Sequence, residues 1–469
     1  MMPLGDILPE ITVILAAVAI LLFASFAPQR RQWIGAPLAL CGLGIAAFLC
    51  GLQVGTARLT FSGSWALDAA SIWGRLFILG ATAFVVLMSP DWFDRDRRHG
   101  EYYAILLFSA LGAMAMAAAA DLLQLVMAAL LSSATGYVLA AYHRDWELSI
   151  EAGMKFFLIG ALANTSLVLG VVMMLGILGD TRFTEMATAL GSVEISPVLL
   201  LGTVLVVVGL SYKLGAAPAH AWMPDVAEGA PAPSAAFLTV VPKIGAAIVL
   251  ARLVALFPID AAALRPLVAA LALITMTFGN LAALWQDDLR RMIGWSSVSQ
   301  SGYALMAVSV VGLSSAAVPA LVIFLLGYTT ANLAIFAAVT HLRGRTARAD
   351  FSGLASSRPL EATALLIGFL SLVGIPPLIG FVGKLELFRA TIDGGYAWLA
   401  VAAAVNTVVS LFYYLRFIAP MIFAKSSSEP TTLGSWSGVA MVTGPVAIVL
   451  LGLWVDGILA PLIGIKLLP

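Results

Sequence analysis

Apolar runs of about 20 residues recur from one end of this chain to the other, and each is long enough to cross a bilayer as a helix. None shows the polar/apolar alternation of a lipid-facing barrel strand. Bounding the runs by charge or proline places about fourteen spans. They lie near 7–26, 34–52, 69–89, 101–119, 121–141, 152–178, 197–217, 232–257, 261–285, 290–312, 318–342, 361–391, 396–424 and 438–461. The loops between them leave no room for a soluble domain. Hydrophobic residues make up 61% of the chain and charged residues 11%, against about 45–50% and about 25% in soluble domains. No soluble core hides that much apolar surface, so the expected fold is an all-α polytopic membrane protein with the lipid bilayer as its surroundings.

Basic residues gather in alternate loops. One set holds Arg30, Arg31, Arg95, Arg97, Arg98, Arg144, Arg290, Arg291, Arg343, Arg345, Arg348, Arg358 and Lys425, whereas the other holds Arg58, Arg182, Arg265 and Lys466. By the positive-inside rule the first set is cytoplasmic, and both termini face outward, on the periplasmic side of a bacterial inner membrane. With 25 basic and 25 acidic residues, charge gives no reason to expect a nucleic-acid partner. Cys41 and Cys50 share one apolar segment and are too few for an iron–sulfur cluster. Gly42, Gly44 and Ala47 mimic a dinucleotide fingerprint, but no strand precedes them. The N-terminus lacks a basic n-region, so a cleaved signal peptide is not expected. No metal or cofactor is expected on this chain.

The spans repeat in order. The fourth of one group of five ends in KLGAAPAHAW, and the fourth of the next contains LVGIPPLIGFVGK. In each, Gly and Pro interrupt an apolar helix close to a lysine. Five helices is an odd number, so the second copy enters the membrane the other way up. The expected division is an N-terminal three-helix segment (1–100), a first inverted repeat (101–257), a second (258–424) and a C-terminal helix (425–469). Broken helices at matching positions of inverted repeats point to a midplane polar site, because irregular backbone is tolerated in a membrane only where it lines a cavity.

An ionised lysine at the bilayer centre costs about 2.5–3.5 kcal/mol on insertion scales. The competing explanation is snorkelling to the headgroups from near a helix end. Lys243, deep inside its span, cannot snorkel easily. Lys213 and Lys384 flank the two breaks, which favours function over snorkelling. Lys155 lies near the start of its span, where snorkelling competes strongly. His220 follows Lys213 by seven residues and would share its face on an unbroken helix, although a satisfied structural histidine fits equally well. Asp225 and Glu228 fall in the connection after the break, in a solvated, capping or proton-uptake role. Arg252 and Arg416 read as interfacial anchors. Buried amines lose charge readily, since desolvation favours the neutral form. Lys213, Lys243 and Lys384, helped by His220 and Lys155, therefore suit a proton relay. They offer few oxygen ligands for a metal cation.

These residues carry a resemblance. YKLGAAPAHAWMPDVAEGAPAPSAAFLTVVPK (212–243) resembles the signature of the antiporter-like membrane subunits of respiratory complex I, NADH–quinone oxidoreductase. Its PDV-x-EGAPAP run is similar to subunit N rather than to the two sister subunits. EAGMKFFLIGALA, DLRRMIGWSSVSQSGY, LVGIPPLIGFVGKLELF and NTVVSLFYYLR follow in family order across nearly the whole chain. The resemblance implies fourteen helices with two inverted five-helix repeats, and a proton channel along the membrane midplane. Lys213 would be the lysine of the first broken helix, Lys243 the connecting lysine and Lys384 the lysine of the second. It also implies partner subunits (sister antiporter-like subunits and small membrane subunits), with NADH, FMN, iron–sulfur clusters and quinone bound elsewhere in the assembly. One departure stands out. The family places a glutamate in the fifth span, paired with the broken-helix lysine, and this chain has Leu130 there. Asp121 is nine residues away, about 13.5 Å of helix, so either another acid supplies the charge, with Glu151 the expected one, or this copy pumps differently or not at all. An equivalent subunit of a cation/proton antiporter or membrane hydrogenase, and a non-pumping structural subunit, remain competing readings.

Overall fold

The structure, a computed structural model, describes residues 3–259, 264–343, 345–425, 431–455, 457, 460–462 and 467–469. Lys466, residues 261–263 of the ninth expected span and residues 456, 458 and 459 of the last lie outside the described residues. Three helices open the chain, α1 (Leu8–Phe26), α2 (Gly35–Gly51) and α3 (Ala69–Met88), with a short α4 (Pro90–Phe93) after them. A two-stranded antiparallel hairpin, β1 (Arg58–Thr60) and β2 (Trp65–Leu67), joins α2 to α3.

The first repeat follows as α5 (His99–Ala117), α6 (Leu122–Ala140), α7 (Glu147–Leu178), a short α8 (Phe183–Leu190), the broken pair α9 (Pro197–Leu214) and α10 (Trp222–Gly229), and α11 (Ala232–Leu256). The second runs α12 (Leu264–Ala283), α13 (Leu289–Ser309), α14 (Ala317–His341), a short α15 (Leu354–Ser357), the broken pair α16 (Pro359–Val373) and α17 (Ile379–Asp393), and α18 (Ala397–Phe423). α19 (Ser435–Leu453) closes the bundle. Among the described residues 12 helices are long and apolar enough to cross a membrane. The more polar α13 and the broken α16–α17 complete the fourteen crossings.

The same local chemistry starts the second helix of each repeat. Asp121 accepts from the backbone of Leu123 (2.7 Å) and Gln124 (3.1 Å) to cap α6, and Asp288 accepts from Arg291 (2.9 Å) to cap α13. Such caps satisfy donors that a helix start otherwise leaves unpaired. Each aspartate also bridges to the segment after the following long helix, Asp121 to Arg182 and Asp288 to Ala347. Small residues then bring helices close, as small-residue interfaces do in membranes. Gly279 of α12 and Gly302 of α13 lie directly against the backbone of the other helix.

α11 is enclosed by neighbours along its whole apolar length. Near its end Arg252 is fully buried, donating to Asp68 Oδ2 (2.7 Å) and Oδ1 (3.2 Å) and to the Leu468 carbonyl (2.7 Å). The expectation of an interfacial anchor is therefore corrected for Arg252. A guanidinium near a helix end reaches headgroups only from an outward face, and this face is covered by the start of α3. Arg416 keeps a partly exposed position, donating to Asp287 at 3.0 Å.

Candidate functional site

The first break begins where α9 stops. Gly215 has φ +67°, the left-handed conformation that ends helices and that glycine adopts without a Cβ clash. Lys213 sits in the last turn of α9 and is 3% exposed. Protein donors take the carbonyls around it. Ala216 N–H donates to Ser211 O (2.8 Å) and Gly215 N–H to Tyr212 O (3.0 Å). Trp222 Nε1 also donates to Tyr212 O (3.1 Å), and the Ser301 hydroxyl donates to Leu214 O. Lys213 itself has no hydrogen-bond or ion-pair partner among the described residues, and its Nζ lies 5.5 Å from the Tyr212 ring centroid.

The second break mirrors the first with the order reversed. α16 ends at Gly374, φ +95°. Lys384 comes after the break, on α17, is 4% exposed, and donates to Val373 O at 3.0 Å. Its Nζ stands 4.6 Å from the Tyr303 ring centroid. Gln300 Nε2 donates to the neighbouring carbonyl, Leu372 O, at 3.3 Å.

Between the breaks, Lys243 of α11 is 1% exposed and donates to Ser297 O (2.7 Å), Ser297 Oγ (3.0 Å) and Tyr328 OH (3.2 Å). Ser297, Gln300 and Ser301 fall within one turn and on one face of α13. That single turn touches all three lysine sites: Lys243 through Ser297, the first break through Ser301 and the second through Gln300. These α13 residues and Tyr328 are functional candidates that the charged residues alone do not reveal. The signal for the α13 residues is the run SSVSQS (296–301), polar residues on a buried crossing, whereas Tyr328 stands outside it on α14.

The other site candidates separate from this group. Lys155 lies at the edge of the bundle with its side chain 42% exposed, paired with Glu151 (2.7 Å) and Asp225 (3.0 Å). Asp225 and Glu228 also hold Arg291, each at 2.7 Å. Glu151 thus serves Lys155 and does not stand beside Lys213, which corrects its expected role. Among the described residues no carboxylate forms an ion pair with Lys213, Lys243 or Lys384. His220 lies beyond Gly215, so the break removes the face it would share with Lys213. Its ring packs on Phe278 (5.2 Å) and Trp295 (5.8 Å), and its buried Nδ1 has no partner. Leu130 is 39% exposed and lines an outward groove with Tyr137, Phe157 and Asn164.

Comparison with known proteins places this arrangement. The profile of the family described as NADH:quinone oxidoreductase/Mrp antiporter, TM matches residues 119–410. NADH-quinone oxidoreductase subunit N of Mycobacterium sp. (strain JLS) is 40% identical over 442 residues, 93% of this chain and 94% of that protein. Subunit N of Trichlorobacter lovleyi is 37% identical, over 95% of this chain and 92% of its own length. Among solved structures, a chain of respiratory complex I from Thermus thermophilus with bound aureothin superposes with TM-score 0.83 at 30% identity, covering 97% of this chain and 99% of that one. A chain of the Mrp complex from Dietzia sp. DQ12-45-1b shares the fold, with TM-score 0.85 at 19% identity over 98% and 96% of the two chains. Two mirrored helix breaks, three enclosed lysines and full-length relatives agree: the chain belongs to the NADH-quinone oxidoreductase subunit N family, the antiporter-like, proton-translocating membrane subunits of complex I.

Proposed function

We propose that protons cross this subunit by way of Lys213, Lys243 and Lys384, with His220 at the first break and Lys155 at its charged rim. The observation that carries this reading is the single turn of α13 that contacts all three lysine sites. An amine without a carboxylate partner changes charge when its solvation changes, and the hydroxyl and amide groups around such amines solvate them without competing for the proton. The Asn332 carboxamide, fully buried one turn beyond Tyr328 and without a protein partner, supports a hydrated interior, since buried polar groups are satisfied by protein or by ordered water. The ion-pair group of Lys155, Glu151, Asp225, Glu228 and Arg291 supports a collecting surface on the side that the basic loops assign to the cytoplasm.

On this reading both termini face the periplasm, and the chain divides near residues 100, 257 and 424. NADH, FMN, iron–sulfur clusters and quinone belong to partner subunits, and sister antiporter-like and small membrane subunits flank this chain. The test is Lys243→Ala in the assembled complex. Proton pumping per electron pair, followed by a pH-sensitive dye in membrane vesicles, falls while NADH–quinone turnover capacity and subunit composition survive. Unaltered stoichiometry sinks the relay.

A further inference from the structure

Lys243 differs from the other two lysines in the completeness of its surroundings, and their hydrogens can be counted. An ammonium has three N–H donors and no lone pair, whereas an amine has two donors and one acceptor. Around Nζ stand three oxygens. The Ser297 carbonyl only accepts. The Tyr328 hydroxyl donates its hydrogen to Thr239 O at 2.8 Å, so toward Nζ it accepts. The Ser297 hydroxyl contacts the Tyr328 hydroxyl and lies 3.4 Å from Thr239 O, so its hydrogen also has a partner away from the lysine. Three acceptors fit an ammonium. They do not fit an amine, which would set its lone pair against an oxygen.

Two hydroxyls resolve that mismatch by turning together. When the Ser297 hydrogen turns to the amine, the Tyr328 hydrogen turns from Thr239 O to Ser297 Oγ, so the touching hydroxyls keep one hydrogen between them, and hydroxyl hydrogens rotate to suit their partners. We infer that the Ser297 hydroxyl, held in place by Tyr328, is a two-position rotor that solvates Lys243 in both charge states, accepting from the ammonium and donating to the amine. Ser297 and Tyr328 are positioning residues: they act through Lys243 and gain or lose no proton themselves. The proton that Lys243 releases passes to the next carrier of the relay. This assignment rests on the relay reading above.

The test uses the assembled complex in membrane vesicles, with protons moved per electron pair and turnover measured together. Ser297→Ala and Tyr328→Phe are each made alone and on the Lys243→Ala background, with Ser297→Thr as the variant that keeps the hydroxyl. A lost hydrogen bond to a charged group predicts a fall in pumping of about tenfold for Ser297→Ala. Tyr328→Phe falls less, and Ser297→Thr stays within about twofold of the unaltered complex. On the Lys243→Ala background neither substitution lowers pumping further, because the two residues act only through that amine. Normal pumping in Ser297→Ala, or the same fall again without Lys243, overturns the rotor. If Lys243→Ala alone pumps normally, the relay reading has failed first, and the rotor with it.

Discussion

At the first break the lysine precedes the glycine, on the last turn of α9; at the second it follows the glycine and reaches back from α17 to the end of α16. Both arrangements put an ammonium at the C-terminal, negative end of a half-helix. They differ in what that end still offers. At the second break Val373 O is given to Lys384. At the first, Ala216, Gly215, Trp222 and Ser301 already donate to the terminal carbonyls, and Lys213 is left bare. A buried charge without partners costs several kcal/mol after relaxation. Lys213 therefore depends on something beyond these contacts, water or a charge from a neighbouring subunit, to hold its proton. Lys384 has an acceptor built in. Two copies of one motif have become a site open to influence and a site that is largely self-contained.

The largest effects come from removing either amine. Lys213→Met and Lys384→Met are each expected to lower proton pumping about tenfold or more, the scale of a lost proton carrier. They should part company in assembly. Lys213→Met removes a charge and strands no partner, so the complex should purify at unaltered yield. Lys384→Met leaves the Val373 carbonyl buried without its donor, which costs about 1–3 kcal/mol, and yield should drop. Purification yield and vesicle pumping, measured side by side, check both halves. Better assembly of Lys384→Met than of Lys213→Met would reverse the comparison.

Intermediate effects test the connection through α13. Gln300→Leu cuts the tie to the second break and Ser301→Ala the tie to the first. Each removes a hydrogen bond worth about 1 kcal/mol, a factor of about five. Gln300→Leu should add nothing to Lys384→Met, whereas Ser301→Ala should still lower its residual pumping. Equal additivity in both combinations would mean that α13 supports the bundle without distinguishing its ends.

Much of this was open to a reader of the sequence because the signals are local. Apolar length and proline place the crossing expected at 361–391 on α16–α17, and the one at 396–424 on α18 (Ala397–Phe423). Lysine in an apolar run marks Lys213, Lys243 and Lys384 before any contact is known. What escapes is pairing across the fold. Arg252 finds Asp68 from 184 positions away, and no periodicity announces that partnership. Ser297 and Tyr328 are ordinary residues on different helices until the bundle closes around Lys243. The misplacement of Glu151 has a different cause. Its i,i+4 spacing to Lys155 is a local signal for a pair at the helix surface, and it outweighs the distant role that the missing glutamate invites.

The smallest effect concerns the residue that most separates the repeats. Leu130 follows the capping Asp121 by nine residues, as Ser297 follows the capping Asp288. One position is an exposed leucine on α6; its counterpart is the buried serine that holds Lys243. Leu130→Glu would supply the acid that the family resemblance implies, but into a groove that opens outward. There it would meet Asn164 and Tyr137, which already bond to each other (3.3 Å), while Asn164 also donates to Ser133 (3.1 Å). A carboxyl facing an apolar surround stays neutral unless a cation reaches it, and no cationic side chain lines this groove among the described residues. Pumping stoichiometry and turnover are therefore expected to stay within about twofold of the unaltered complex, a shift of less than about 1 kcal/mol. A clear rise, abolished by Lys213→Met, would show that the bare amine at the first break feels a charge at position 130 through the Asn164–Tyr137 contact, and the openness of that site would then extend to the surface of the subunit.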